Sequence, residues 1–233
     1  MDIPVIYQDE DFIIINKPPG ISVHGGHSVS GETVADILLQ KFPEIKNVGD
    51  APAIRPGIVH RLDKNTSGVM VVARNQKSFD FLKELFKNRE MEKTYLAVAC
   101  GQLASLSGTI SFPIGRLVKN PLKRGVAIGK TKIRGEREAV TDYSVLRENA
   151  RYSLVELRPK TGRMHQLRVH LKALSHPVAC DTLYGGEKVC CPKGVGRTLL
   201  HAQSLSFALP GGKRMCFEAD PPEDFQFALK GIL

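Results

Sequence analysis

Six apolar runs of strand length punctuate the 233 residues, and they constrain the fold more than any other feature. They are Phe12–Ile15, Val69–Ala73, Tyr95–Ala99, Ala139–Val145, Tyr152–Leu157 and Leu205–Leu209. Several are rich in β-branched residues, and Gly, Pro, Asn or Asp stand close to many, the mark of strands bounded by turns. Helical spacing is rarer. In "GETVADILLQKF", Val34, Ile37, Leu38, Lys41 and Phe42 recur at helical spacing, with Ser30 as a candidate cap. "SFDFLKELFKN" repeats the pattern with Phe79, Leu82, Leu85 and Phe86, and "TGRMHQLRVHLKALSH" aligns Leu167, Leu171 and Leu174, with Thr161 as a candidate start. Strands and helices do not alternate, which disfavours a doubly wound α/β sheet. The expectation is an α+β fold with a largely antiparallel sheet. No composition shift, repeat or low-complexity block divides the chain, so a single domain over residues 1–233 is expected.

Charge narrows the function. Lys and Arg number 33 against 24 for Asp and Glu, a formal net charge of +9. An excess of that size favours a polyanionic partner, because each neutralised phosphate releases a counterion. The stretch Gly115–Glu138 reads as a loop and carries Arg116, Lys119, Lys123, Arg124, Lys130, Lys132, Arg134 and Arg137 among glycines. It is either a solvated surface loop or a phosphate-gripping arm. The shorter basic segment Lys188–Arg197 is a second candidate. The amino-terminal stretch is acidic, its apolar run is far too short for a signal or a span, and a cytoplasmic location is expected. Cys100, Cys180, Cys190, Cys191 and Cys216 form an odd set without a C-x-x-C pair, so reduced thiols are expected. A metal cluster of His176, Cys180, Cys190, Cys191 and His201 is disfavoured, because adjacent cysteines rarely chelate one ion. Phosphate-cradling glycine signatures and H-E-x-x-H are missing, leaving a nucleotide cofactor or catalytic metal without support. Chemistry must then come from side chains.

"GIVHRLDKNTSGVMVVARN", Gly57 to Asn75, holds the best candidate. Two apolar runs flank a polar knot in which Asp63 stands between Arg61 and Lys64. Asp63 and Asn65 fit an Asx-type turn closed by Gly68, and they equally fit a carboxylate at a strand end. Thr66 and Ser67 offer hydroxyls to tie the loop, and strand alternation would put Arg61 on the same side as Asp63. A carboxylate used as nucleophile or base must stay ionised, which an opposed cation ensures. "RPKTGRMHQLRVHL" packs three arginines and two histidines into fourteen residues, with His165 and Arg168 three apart.

These residues resemble a known family. "HRLDKNTSG" is similar to the signature of RluA-type RNA pseudouridine synthases. "NKPPGISVH", "KTYLAVACG", "TGRMHQLRVHL", "HPVACDTLYGG" and "LLHAQSLSF" resemble further family segments, in the family's order. The resemblance implies a mixed, mostly antiparallel sheet of about eight strands flanked by helices, with an RNA cleft across it. It implies isomerisation of uridine in ribosomal or transfer RNA, without cofactor or metal. Asp63 matches the catalytic aspartate, Tyr95 the tyrosine lying against the target base, and Arg168 the basic partner of the aspartate, with Arg163 second choice. Arg61 matches the arginine that enters the RNA stack when uridine swings out. His60, Thr66, Arg163, Lys123 and Arg124 complete the substrate-binding candidates, although ordinary hydrogen-bonded roles suit His60 and His165 better. Many relatives carry a small RNA-binding domain ahead of the catalytic one, whereas this sequence opens directly at "MDIPVIYQDEDF". A monomer is expected. The alternatives are a non-catalytic RNA-binding protein with the same fold and a nucleosidase or glycosidase, which would need a second carboxylate.

Overall fold

A computed structural model describes residues 2–26, 31–120, 122–185 and 190–232. The chain runs β1 (Val5–Gln8), β2 (Phe12–Lys17), α1 (Val34–Lys41), a 3-10 turn (Pro43–Asn47), β3 (Ser67–Ala73), α2 (Gln76–Lys87), β4 (Glu92–Cys100) and β5 (Ser107–Ile110). It continues β6 (Ile114–Leu117), β7 (Arg124–Gly125), β8 (Ile133–Arg137), β9 (Thr141–Glu148), β10 (Tyr152–Pro159), α3 (Gln166–Ala173), β11 (Leu200–Ala208), β12 (Arg214–Glu218) and α4 (Glu223–Ile232). Among the described residues, nine strands form one mixed, mostly antiparallel sheet in the order β1-β2-β3-β11-β4-β10-β9-β5, with β12 beside β11. A second sheet has the order β7-β6-β8. No helix among the described residues is long and apolar enough to cross a membrane. Two compact units emerge, Met1–Lys93 with Ala202–Pro221, and Thr94–His201 with Pro222–Leu233.

In the first unit, β2 lies between β1 and β3, antiparallel to both, with Phe12 opposite Ala73 and Lys17 opposite Gly68. β3 is buried at every position, which accounts for its unbroken apolar sequence. Phe79, Leu82 and Leu85 of α2 pack on Phe12, Ile14, Val69 and Val71. Asn75 starts α2 by accepting from the Ser78 amide at 2.9 Å. α1 starts at a capping box, in which Thr33 and Asp36 satisfy each other's backbone amides. Ser30, the cap expected from the sequence, lies outside the described residues, and Thr33 does the capping.

In the second unit, β10 pairs with β4 and β9, and β9 with β5. Leu167 and Leu171 of α3 pack on Ala97, Val155 and Leu157, while Phe225 and Ala228 of α4 pack on Val98, Leu154 and Leu199. α3 begins at Gln166, not near Thr161, and it is buried all round, from Gln166 through Leu171. The reason lies in two polar side chains. The Gln166 carbonyl accepts from the Thr161 hydroxyl at 2.8 Å and the Arg163 amide at 2.9 Å, and its amide nitrogen donates to the Val140 carbonyl and the Thr141 hydroxyl, each at 3.0 Å. That fully used amide holds residues 161–165 as a non-helical bracket. His165 then enters the helix with a left-handed φ of 59°.

Gly115–Glu138, expected to be a loop, is built around the small sheet β7-β6-β8. Its strands are short, glycine-bearing and charged, so they carry no apolar run for pattern reading to find. Ile114 and Val126 anchor this sheet against Val169 of α3 and Tyr184. The cysteines also correct expectation. Cys100 pairs with Cys190 and Cys180 with Cys191, leaving Cys216 free and exposed. The end of β4 and two later loops meet in space, a proximity that linear spacing does not express.

One glycine sets the approach of β3 to its neighbour. Gly68 has φ +116°, and a Cβ there would lie 2.1 Å from the Ala202 carbonyl oxygen. Gly68→Ala should therefore destabilise the fold by roughly 3 kcal/mol or more, measured as the shift in urea unfolding.

Candidate active site

The polar knot is both a turn and a carboxylate mount. Ile58 bridges Val72 in antiparallel fashion, and the Ala73 amide donates to the Gly57 carbonyl at 2.9 Å. The first apolar run thus returns alongside the end of β3, and residues 59–66 form the loop between. The Thr66 amide donates to the Asp63 carbonyl at 3.0 Å, closing a turn that leaves Asp63 half-buried. Residues 59–63 belong to no strand, so alternation does not place Arg61 beside Asp63. Arg61 is exposed, with Nη1 3.4 Å from His24 Nε2; His24 Nδ1 is then the protonated nitrogen that donates to the Gly25 carbonyl at 2.8 Å.

The residue that fixes this loop escapes pattern reading. Lys17, the last residue of β2, is fully buried. Its ammonium donates to the carbonyls of Pro18 at 2.8 Å, Lys64 at 3.0 Å and Thr66 at 2.9 Å. Two of those carbonyls directly follow Asp63 in the loop, and the Gly20 amide adds a bond to the Lys64 carbonyl at 2.9 Å. A buried ammonium needs such acceptors to offset lost hydration. The available signal was a lysine ending an apolar strand, "IIINK", where a solvated side chain is the ordinary assumption.

His60 acts as a prop for the same loop. Its Nε2 accepts from the Val71 amide at 3.1 Å, and its ring stacks on Phe86 with centroids 4.7 Å apart. Burial, aided by the Lys93 charge, pushes its pKa down to about 3. Burial also lowers Lys93, whose ammonium lies 5.9 Å from the Phe86 ring centre. Thr66 is buried and serves the loop through its backbone.

The other candidates sit in the second unit. Tyr95 of β4 is half-buried, paired in register with Leu157 and packed against the cluster of Ala97, Val155 and Leu167. Arg168 is nearly buried on α3 and forks onto Asp181, with Nε 2.7 Å from Oδ2 and Nη2 2.9 Å from Oδ1. Its guanidinium carbon lies 5.0 Å from the Tyr184 ring centre. Arg163 Nε donates to the Glu138 carbonyl at 2.9 Å. The Lys123 ammonium donates to the Leu183 carbonyl at 2.9 Å, and the Arg124 amide to the Tyr184 hydroxyl at 3.0 Å. Asp63, Arg61, His60 and Thr66 therefore share one loop, while Arg168, Arg163, Lys123 and Arg124 converge around α3, Asp181 and Tyr184. Arg116, Lys119, Lys130, Lys132, Arg134 and Arg137 are exposed, whereas Lys123 is half-buried. Among the described residues, no group of three or more His, Cys, Asp or Glu has metal-holding geometry.

The His60 environment has a pH consequence. Its ordinary pKa is 6.5, so between that value and about 3 the unfolded chain takes a proton that the folded chain refuses. Stability is therefore lost as pH falls below 6.5. Going from pH 7 to pH 5 should cost about 2 kcal/mol from this group, and His60→Gln should flatten the corresponding fall in Tm.

Comparison with known proteins places this geometry. Residues 11–173 match the family described as RNA pseudouridylate synthase. A "Ribosomal large subunit pseudouridine synthase D" from Borreliella burgdorferi is 43% identical over 183 residues, 78% of this chain and 55% of that protein. One of the same name from Xanthomonas campestris is 38% identical, covering 99% of this chain and 70% of its own length. The chain thus spans about half to three quarters of its relatives. Among solved structures, "Human RNA Pseudouridylate Synthase Domain Containing 4" superposes with a TM-score of 0.77 at 28% identity, over 97% of this chain and 92% of that one. "Human RNA Pseudouridylate Synthase Domain Containing 1" gives 0.76 at 30% identity, over 96% and 84%. With its fold, its motif order and its sequence in agreement, the chain belongs to the RNA pseudouridylate synthase family, of the RluA type that its motifs resemble.

Proposed function

We propose that this chain converts uridine to pseudouridine in RNA with Asp63 as the catalytic carboxylate. The observation that carries this reading is the mount of Asp63. An acidic side chain sits half-buried on a loop in which the carbonyls of Lys64 and Thr66, just after it, are gripped by a buried ammonium. A loop held that firmly presents one carboxylate geometry, which is what attack on a sugar requires. The target uridine must leave its stack first, at a cost of a few kcal/mol that protein contacts recover. Asp63 then acts on the ribose, by attack at C1′ or removal of the C2′ proton, and uracil is released. The base turns and rejoins through C5, with the C5 proton ending on nitrogen, so no atom enters or leaves overall.

In this reading Arg168 serves as the basic partner of the carboxylate, Tyr95 lies against the base, and exposed Arg61 fills the vacated stack. The exposed cations of β6, β8 and their connections hold phosphates. The names of the bacterial relatives favour ribosomal RNA as substrate, ahead of transfer RNA. Action as a cytoplasmic monomer, with a single catalytic domain and no metal or nucleotide cofactor, completes the proposal.

Wild-type protein incubated with ribosomal RNA should yield pseudouridine, mapped by its chemical adducts. Asp63→Asn and Asp63→Ala should bind the same RNA with unchanged affinity and convert it at least roughly 10³-fold more slowly. Turnover by Asp63→Ala at the wild-type rate refutes the assignment. Binding without conversion by the wild type would mark a non-catalytic RNA-binding protein, and free uracil a nucleosidase.

A further inference from the structure

We propose that Asp181 is the positioning residue for Arg168, fixing the plane and reach of its guanidinium without itself touching RNA. The inference rests on the assignment of Arg168 made above. Asp181 is fully buried, and its carboxylate receives four hydrogen bonds. Two come from Arg168 as a fork; two come from the amides of Leu183 at 3.0 Å and Tyr184 at 3.1 Å. The amides fix the carboxylate, and the fork transfers that orientation to the guanidinium, since two parallel bonds leave a planar group no rotation.

The fork occupies the Nε–Nη2 edge, so covalent geometry turns the Nη1 side away from Asp181. Tyr184 restrains the remaining freedom. Its ring lies against the guanidinium, and it is itself held by His165 Nδ1 at 2.7 Å and the Arg124 amide at 3.0 Å. A buried ion pair is weak evidence for stability, because well-packed apolar groups serve that end as well. What a doubly bonded, ring-backed guanidinium supplies in addition is direction.

The test compares single-turnover conversion by the full chain in wild-type, Asp181→Asn and Arg168→Ala forms, with KM and thermal unfolding measured alongside. Asn keeps the size and the oxygen facing the two amides and removes the charge. Conversion should fall roughly 10- to 100-fold, with KM little changed and the protein still folded at the assay temperature. Wild-type kinetics in Asp181→Asn, with Arg168→Ala inactive, overturns the proposal. A rate loss matched by an equal loss of folded protein, or carried by KM with the rate at saturation unchanged, marks a merely structural pair and also overturns it. Wild-type turnover by Arg168→Ala instead sinks the assignment of Arg168 itself. Should Asp181→Asn fail to fold, Asp181→Glu displaces the guanidinium by about a methylene while keeping the charge; a slowed rate at unchanged KM supports positioning, and an unchanged rate overturns it.

Discussion

A single buried ammonium organises the loop that carries Asp63. Lys17 Nζ binds the carbonyls of Lys64 and Thr66, just after Asp63, so the path of residues 64–66 is dictated from the end of β2. The mount works only in the observed strand register, where Lys17 stands opposite Gly68. A slip of one residue would turn Lys17 to the other face of the sheet and leave its charge without acceptors. Pro18 supports the arrangement from the other side: it offers a carbonyl to Nζ and has no amide to continue the strand. Conformational constraint next to Asp63 is thus an outcome of strand pairing, and the loop inherits its rigidity from β2 and β3.

The second unit repeats the logic with different groups. Asp181 and Gln166 are buried polar residues whose bonds are satisfied by neighbouring turns, and each rigidifies a segment next to an arginine. Lys123 and the Arg124 amide tie the small sheet to Leu183 and Tyr184, inside the turn that begins at Asp181. Basic residues displayed by that sheet are therefore mechanically joined to the turn that holds Arg168. Such buried polar networks penalise loss of any single member, since an orphaned partner keeps its desolvation cost.

The apolar runs were legible because burial on a sheet leaves a strong trace. All six expected strands fall on β2, β3, β4, β9, β10 and β11, and the alternation-free sequence of β3 matches its burial at every position. α1 and α2 were equally visible from their spacing, the cap of α1 apart. Where the structure departed from expectation, tertiary polar contacts had overridden local pattern. The bracket built by Gln166 moved the start of α3, and the charged strands β6, β7 and β8 had no apolar trace to offer. α4 was passed over, although Phe225 and Ala228 give it a buried face. Asp63 stands out in the sequence through its setting in the knot, whereas Lys17 and Asp181 do not. Lys17 binds carbonyls brought from Lys64 and Thr66, and Asp181 binds the Arg168 fork and two neighbouring amides; backbone groups carry no sequence signature.

The distribution of cations separates exposed charge from buried charge. Arg168 with Asp181 and Arg197 with Asp224 are paired fork to fork, the second holding Asp224 below the usual carboxylate range. Lys17 is enclosed by carbonyls. None of these three contributes freely to the field that a polyanion meets, so the net charge of +9 is expressed by exposed residues, including those of the small sheet. Exposed charges are screened by salt within about 10 Å at 0.1 M, whereas buried ones are screened far less. The exposed cations therefore answer to ionic strength, and the buried, paired ones answer to it far less. The same residue type can serve both ends because burial, rather than identity, decides which task a cation performs.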